Sequence, residues 1–338
     1  MSRATLQRLG VELPLLPITS VGSLPKPLEL VAARARFARG ALSQRELDEL
    51  ASEAILFWLQ RQEELGLDVL VDGEMYRGDM VAYFATALDG MSLGGLVRSY
   101  GNRYYHKPVI TGAVRWQQPI TVGWWHFAQR HTRRPVKGIV TGPYTMMDWS
   151  FDEYYPSRRS ACLALATELH KEVAALVHAG ARIVQIDEPA LSARPAELPL
   201  AIEANRILTA GLDAYFITHA CFGAFDTIYP GLLQLPTDNL DLAISQSAVD
   251  WLAVFRRDPF DKDLSVGVLD VHTHAVETVA DVRARIRRSL DLVRPEALWV
   301  GPDCGLKTRT VDEATAKLRV MVEAVTAARG ELPASASK

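Results

Sequence analysis

The sequence is poor in cysteine. Cys162, Cys221 and Cys304 are the only three among 338 residues, too few for a disulfide framework. This usage is typical of a reducing compartment, where thiols serve as metal ligands or catalytic groups. An excess of charge is also missing, since 37 Lys and Arg stand against 40 Asp and Glu, for a net charge of −3. A nearly neutral chain has no overall field that would attract nucleic acid or an anionic membrane.

Long hydrophobic runs are absent from the sequence as well. No apolar stretch reaches the roughly 18 residues needed to cross a bilayer. The first residues, Met1 to Thr5, lack the charged and then apolar layout of a signal peptide. We therefore expect a cytoplasmic protein with no membrane or nucleic-acid partner. Hydrophobic residues nevertheless make up 49% of the chain, which is enough for a large core and excludes disordered or fibrous chains.

Eight short apolar runs recur along the chain, and helical patterns separate many of them. The runs are rich in valine or isoleucine, as expected for strands that are buried on both faces. Capping boxes at Ser43 with Glu46 and at Thr310 with Glu313 predict the starts of two helices. The eight runs are 18–23, 69–73, 138–142, 183–187, 215–219, 240–245, 266–270 and 298–301.

Eight strands alternating with helices predict an α/β chain folded as a TIM (β/α)8 barrel, with residues 1–338 as one catalytic domain. An open doubly wound sheet is the alternative, but no glycine-rich phosphate loop follows the first run. Residues 95–135 are rich in aromatics and break the alternation. They predict an extended insertion before the third strand, which serves either as an active-site wall or as an aromatic buttress. The small, polar tail 331–338 is expected to fray.

Polar side chains follow six of the eight runs. In a barrel the carboxyl ends of the strands meet at one face, where active sites lie. A purely structural barrel has no need of titratable groups at so many strand ends, so the pattern predicts an enzyme. The residues are Ser23; Asp72 and Glu74; Asp187 and Glu188; His219 and Cys221; Asp270 and His272; and Asp303 and Cys304.

Two of these strand ends suggest a metal site. His219 and Cys221 are two residues apart, so on a strand they point to the same side, and Cys304 completes a nitrogen and two-sulfur set if the barrel closes. Imidazole and thiolate ligands select zinc. A core pair is the alternative for His219 and Cys221, and the further cysteine favours the metal. Cys162 lies in an apolar helical stripe and is expected to be a buried small hydrophobe.

Ten characteristic blocks are spread over nearly the whole chain, and the longest contain the strand-end residues themselves. The blocks are TSVGSLP at 19–25, DGE at 72–74, DMVAYF at 79–84, SYGNR at 99–103, VKG at 136–138, TGP at 141–143, DWSF at 148–151, QIDEPAL at 185–191, THAC at 218–221 and GPDCGLKTR at 301–309. Together they resemble the catalytic C-terminal half of cobalamin-independent methionine synthase.

The resemblance implies a TIM barrel with a catalytic zinc, at which the thiol of homocysteine takes a methyl group to form methionine. It places the zinc ligands at His219, Cys221 and Cys304. The family's fourth ligand, a glutamate, aligns with Ala243, which cannot bind a metal. Water could complete the site, Asp241 or Gln246 could take the role, or metal binding could be weaker.

The same resemblance assigns the substrate residues. Ser23, Glu74 and Asp187 match positions that hold the amine and carboxylate of homocysteine, and two carboxylates suit an ammonium group. Strand-end salt bridges are the alternative for Glu74 and Asp187. His272 matches the family's proton-transfer histidine. Arg103 and Trp149 match positions near the methyl donor.

Two methyl donors are compatible with the resemblance. The family's long form has an N-terminal half that helps to bind polyglutamylated folate, whereas short relatives are thought to use methylated corrinoids. We expect methylcobalamin or a corrinoid protein as the donor, with methyltetrahydrofolate as the alternative. The expected docking rim consists of Tyr104, Tyr105, Trp116, Trp124 and Trp125.

Two other functions stay open. One is a different zinc-dependent thiol alkyltransferase, for example of the coenzyme M type. Glu74 and Asp187 argue against it, because a sulfonate thiol has no ammonium to bind. The other is a metal-deficient relative that has lost catalysis through Ala243.

Overall fold

The computed structural model describes residues 2–99, 103–221, 223–244 and 248–332. The chain divides into two compact units, each made of several chain segments. Unit 1 comprises Met1–Tyr76, Trp124–Lys137 and Asn239–Lys338, and unit 2 comprises Arg77–Gly123 and Gly138–Asp238.

Four helices come first, then a hairpin of two strands, and from Val122 onward helices and strands mostly alternate. The helices are α1 (Ser2–Arg8), α2 (Leu28–Phe37), α3 (Gln44–Leu65), α4 (Met80–Ala87), α5 (Val122–Gln129), α6 (Pro143–Asp148), α7 (Arg158–His178), α8 (Leu198–Thr209), α9 (Trp251–Arg257), α10 (Val279–Leu290) and α11 (Val311–Glu331). The strands are β1 (Leu88–Ser99), β2 (Arg103–Trp116), β3 (Gly138–Thr141), β4 (Phe151–Asp152), β5 (Ile183–Asp187), β6 (Tyr215–Ala220), β7 (Asn239–Leu242), β8 (Asp263–Gly267) and β9 (Leu298–Gly301). The two predicted capping boxes are confirmed at the starts of α3 and α11.

The core of unit 1 is a parallel ladder. Strand β8 pairs in parallel with both β7 and β9, and all residues of the three strands are buried. Single parallel bridges extend the ladder from Val300 to Ile18, from Thr19 to Val69 and from Leu70 to Val136. The first two predicted runs are therefore present as bridged segments rather than as full strands.

Unit 2 has a parallel ladder of its own, in which β5 pairs with both β3 and β6. Every residue of these three strands is buried. This fits strands that are covered on both faces, as their apolar composition predicts. A second sheet contains the antiparallel pair β1 and β2, with the short β4 beside β2.

Two of the predicted strands begin further upstream than their apolar runs. Strand β8 begins at Asp263 and β7 at Asn239, and both polar residues are buried. The Asn239 side-chain oxygen accepts hydrogen bonds from the backbone N–H and the hydroxyl of Ser265, both at 3.1 Å. A search for apolar runs misses Asn239 and Ser265, because these polar residues bind each other inside the sheet.

The expected insertion at 95–135 has different bounds and content. Its hairpin begins earlier, at Leu88, and residues 122–129 form helix α5 rather than extended chain. Trp125 and Ala128 are three residues apart and form the buried face of that helix, a helical spacing that the aromatic content obscured. The frayed-tail prediction concerns 331–338, of which 333–338 lie outside the described residues. Within the described part of the chain, no helix is long and apolar enough to cross a membrane.

Candidate active site

The three predicted metal ligands come together. His219 lies near the end of β6 and Cys221 directly follows it, with 3% and 8% of their surfaces exposed. The ligand atoms of His219, Cys221 and Cys304 all lie within 4.8 Å of one another. One imidazole and two thiol groups this close together can hold a metal ion, and this donor set suits zinc.

The turn that carries Cys304 depends on a glycine. The Asp303 backbone N–H donates to the carbonyl oxygen of Leu269 at 3.0 Å. A Cβ on Gly267, the last residue of β8, would lie 2.4 Å from the Asp303 Cα atom. Only glycine allows this close approach of the two backbone segments, so Gly267 helps to fix the position of Cys304.

Ala243, which the resemblance aligns with a glutamate ligand, lies one residue beyond the end of β7. Asp241, one of the two residues considered as a substitute ligand, is buried within β7. Among the described residues, however, the group of potential ligands contains His219, Cys221 and Cys304 alone. Gln246, the other candidate, lies outside the described residues.

In unit 1 the predicted substrate residues Ser23 and Glu74 have closely defined surroundings. Glu74 has a φ of +57°, a left-handed conformation that is uncommon for residues other than glycine. Its backbone N–H donates to the Asp72 carboxylate at 2.8 Å, and its carbonyl oxygen accepts from the Lys26 ammonium at 3.1 Å. Ser23 is buried, and a Cβ on Gly305 would lie 2.0 Å from its hydroxyl oxygen. The Glu74 backbone is therefore held at both of its polar groups, and the Ser23 hydroxyl lies where only a glycine can pass at position 305.

In unit 2 the predicted substrate residue Asp187 ends β5. One of its carboxylate oxygens accepts a hydrogen bond from the Gln185 side chain at 2.7 Å. The other lies 3.7 Å from the guanidinium of Arg77, whose side chain is 1% exposed. Sequence reasoning did not select Arg77, although it stands three residues beyond Glu74, between the blocks at 72–74 and 79–84.

Glu188 supports the segment that leads to Trp149. Its buried carboxylate accepts hydrogen bonds from the backbone N–H groups of Tyr144 and Thr145, from the Thr145 hydroxyl and from the Asn205 amide. Burial raises the pKa of the Glu188 carboxyl to about 7, and these hydrogen bonds act in the opposite direction. Because Tyr144 and Thr145 lie at the start of α6 and Trp149 follows its end, Glu188 anchors the helix that carries Trp149.

We expect Gly142→Ala to be strongly destabilising. A Cβ there would lie 2.1 Å from the Glu188 carboxyl carbon, so the carboxylate must leave its hydrogen-bond donors. The free energy of unfolding should fall by about 3 kcal/mol, measured by urea denaturation. Gly123→Ala is the matched control, since nothing lies within 4 Å of its added Cβ. Equal stability of the two variants would contradict the anchoring role of Glu188.

The remaining predicted site residues lie on loops and strand ends. Trp149 is half-buried, and its backbone N–H donates to the Thr145 carbonyl oxygen at 2.9 Å. His272 is exposed on the loop after β8, and its backbone N–H donates to the Asp270 carboxylate at 2.8 Å. Arg103 begins β2, but its side chain lies outside the described part of the structure.

The sequence of the chain matches a known protein family. Residues 16–327 match the family described as "cobalamin-independent synthase, catalytic domain". The chain belongs to that family. The resemblance noted from the sequence blocks is confirmed.

Curated relatives carry the name 5-methyltetrahydropteroyltriglutamate–homocysteine methyltransferase. The protein of Haemophilus influenzae (strain PittEE) is 39% identical over 342 residues, covering 98% of this chain and 45% of the relative. That of Corynebacterium glutamicum (strain R) is 37% identical over 346 residues, covering 99% and 46%. The chain thus spans about half the length of these relatives.

Solved structures of similar length share the fold. A B12-independent methionine synthase from Shewanella sp. W3-18-1, in complex with selenomethionine, has a TM-score of 0.85 at 26% identity, covering 94% of this chain and 99% of that one. A Listeria monocytogenes protein described as a B12-independent methionine synthase has a TM-score of 0.78 at 21% identity. The predicted α/β fold of the TIM-barrel class is confirmed.

The prediction of methylcobalamin or a corrinoid protein as donor is wrong, because the family is cobalamin-independent. The structure also buries part of the expected docking rim. The indole N–H of Trp125, which is buried, donates to the Val136 carbonyl oxygen, and that of Trp116 to the Glu172 carboxylate. Trp124 stacks on Tyr76 with ring centres 5.0 Å apart. Trp116 and Trp124 are half-buried, and Tyr104 is exposed.

Proposed function

We propose that the chain transfers a methyl group from 5-methyltetrahydropteroyltriglutamate to the thiol of homocysteine, yielding methionine. The observation that carries the proposal is the close group of His219, Cys221 and Cys304 in a chain of the cobalamin-independent synthase family. The relatives' printed name states this donor and this acceptor.

We further propose that His219, Cys221 and Cys304 hold zinc. A nitrogen and two sulfur donors within 4.8 Å of one another fit a soft, tetrahedral ion, and three protein ligands with one open position are typical of catalytic zinc sites. Ala243 cannot fill that position. When bound, zinc would lower the pKa of a coordinated thiol and so keep it as the nucleophilic thiolate.

Three residues are proposed to orient the amino-acid part of homocysteine. Asp187 and Glu74 offer carboxylates to its ammonium, while the Ser23 hydroxyl donates to its carboxylate. The left-handed backbone of Glu74, together with its backbone hydrogen bonds to Asp72 and Lys26, holds the peptide from which this carboxylate extends. Such pre-organisation lowers the entropic cost of aligning the thiol with the methyl group.

The donor side is proposed to involve three residues. The Trp149 indole provides a flat apolar surface for the pterin, and Arg103 is proposed to contact the folate, the role that the sequence resemblance implies. His272 supplies the proton that the folate N5 must gain when its bond to the methyl carbon breaks. The thiolate sulfur forms a bond to the methyl carbon while the bond between that carbon and N5 breaks. The electron pair of the broken bond stays on N5, which the proton then neutralises.

The test is methionine formation from homocysteine and 5-methyltetrahydropteroyltriglutamate. We expect turnover by the parent protein, and Trp149→Ala should raise the KM for the folate by about tenfold or more, the usual loss when an aromatic stacking partner is removed. The KM for homocysteine should stay the same. Tyr154→Ala is a control, since Tyr154 is 52% exposed in the segment that follows. A parent protein that holds zinc but forms no methionine would refute the proposed reaction.

A further inference from the structure

The loop after β8 is held at both ends by one buried cation. The side chain of Lys317, on α11, is 0% exposed. Its ammonium donates to the carbonyl oxygen of Asp270 at 3.0 Å, to that of Ala275 at 2.5 Å and to the Glu277 carboxylate at 2.9 Å. An ammonium group has three N–H donors, so all three are used, and each binds a residue of loop 270–277.

Glu277 completes this arrangement from within the loop. Its side chain is 7% exposed, and its second carboxylate oxygen accepts the Asp270 backbone N–H at 2.7 Å. Arg285 lies 3.8 Å from the same oxygen and donates to the Val268 carbonyl oxygen at 2.7 Å. Both backbone groups of Asp270 are therefore held by the Lys317 and Glu277 pair, which we call the loop clamp.

The loop clamp is connected to His272 through Asp270. The Asp270 carboxylate accepts the His272 backbone N–H at 2.8 Å, and the Thr308 hydroxyl donates to the intervening Val271 carbonyl oxygen at 3.3 Å. His272 itself is exposed. The backbone of His272 is therefore connected through Asp270 to the loop clamp.

A contribution to stability alone does not account for a buried Lys317 and Glu277 pair. Burying two charges is costly, and well-packed apolar residues of similar size often stabilise a protein as much or more. The Lys317 ammonium contacts the backbone of one functional loop at two separate points, a contact that an apolar side chain cannot make. Its distinctive effect is therefore to select one loop conformation.

We propose that Lys317, acting with Glu277, is a positioning residue for methyl transfer: the loop clamp holds loop 270–277 in the conformation that presents His272 to the donor. The inference rests on the proposed function, in which His272 supplies the proton to the folate. Lys317 acts through the loop and does not touch the reacting atoms.

The test removes both charges together, with Lys317→Met and Glu277→Gln in one protein, so that neither is left buried alone. We expect kcat for methyl transfer to fall by about tenfold or more, but by less than the roughly 10²- to 10⁴-fold that a proton-transfer group contributes in full. Zinc content and the KM for homocysteine should stay at the parent's values. The control is Arg287→Met with Glu331→Gln, an exposed ion pair of 3.0 Å between α10 and α11, which should leave kcat unchanged.

A double-mutant cycle that combines removal of the loop clamp with His272→Gln distinguishes the positioning of His272 from a general disruption of the fold. If the loop clamp acts through His272, its removal in the His272→Gln background should change kcat by less than about twofold, because coupled residues are not additive. A further tenfold loss in that background would overturn the proposal.

Hydrogen exchange gives a readout that does not need activity. The His272 amide should exchange at least about tenfold faster after removal of the loop clamp, as expected when its bond to Asp270 opens locally. Unchanged exchange would overturn the proposal even if the rate falls. A parent that makes no methionine would instead refute the proposed reaction, and this exchange rate would still decide whether the clamp holds the loop.

Discussion

Replacing Cys304 by serine is expected to abolish metal retention and methyl transfer together. A serine hydroxyl stays protonated at neutral pH and is a poor ligand for zinc, whereas a thiolate is a strong one. Changes to groups that merely support a metal ligand weaken affinity by about 10- to 100-fold, so loss of a ligand should cost at least about a hundredfold. The measurement is zinc per chain after dialysis against a mild chelator, together with methionine formation.

Two other variants make this result specific. Cys162→Ala is the matched control, because Cys162 is fully buried in α7 and should keep both zinc and activity. Ala243→Glu should act in the opposite direction and slow the release of zinc to the chelator, because it places a carboxylate at the position that the sequence resemblance aligns with a fourth ligand. Full zinc retention by Cys304→Ser would refute the ligand assignment.

Asp187→Asn is expected to weaken homocysteine binding while the metal stays bound. The change removes the negative charge that is proposed to face the substrate ammonium and keeps the shape of the side chain. Losing one partner of a desolvated charge pair costs about 2–4 kcal/mol, or roughly 30- to 1000-fold in Kd. Calorimetric titration of the zinc-loaded protein with homocysteine measures this directly.

The control for this prediction is Asp213→Asn, which removes an exposed carboxylate just before β6. It should leave the Kd for homocysteine unchanged. An unchanged Kd in Asp187→Asn would mean that Asp187 serves only as the salt-bridge partner of Arg77. The site would then accept a thiol without an amino group, as a different thiol alkyltransferase does.

Most of the fold could be predicted from the sequence, because strands buried on both faces leave apolar runs. Runs 183–187 and 298–301 have the same bounds as β5 and β9. The prediction of strand bounds failed where polar residues bind each other inside the sheet, as Asn239 and Ser265 do. It failed again at α5, whose aromatic residues indicated extended chain.

The three candidate metal ligands could be selected from the sequence. The residues that hold the surrounding backbone in place could not. His219, Cys221 and Cys304 follow strand runs, and chemically distinctive residues at strand ends are visible in the sequence. Glu188 and Lys317 gain their importance from contacts more than 40 residues away in the chain, which no local pattern reveals. The corrinoid donor was inferred from chain length and exposed aromatics, and neither property reports on donor chemistry.

X-ray absorption at the zinc edge, with and without homocysteine, tests the central claim most directly. Zinc held by His219, Cys221 and Cys304 should have two sulfur neighbours at about 2.3 Å, and saturating homocysteine should raise that number to three. The added sulfur would show that the substrate thiol occupies the open position. An unchanged sulfur count with homocysteine, or zinc without two cysteine neighbours in the free protein, would contradict the account.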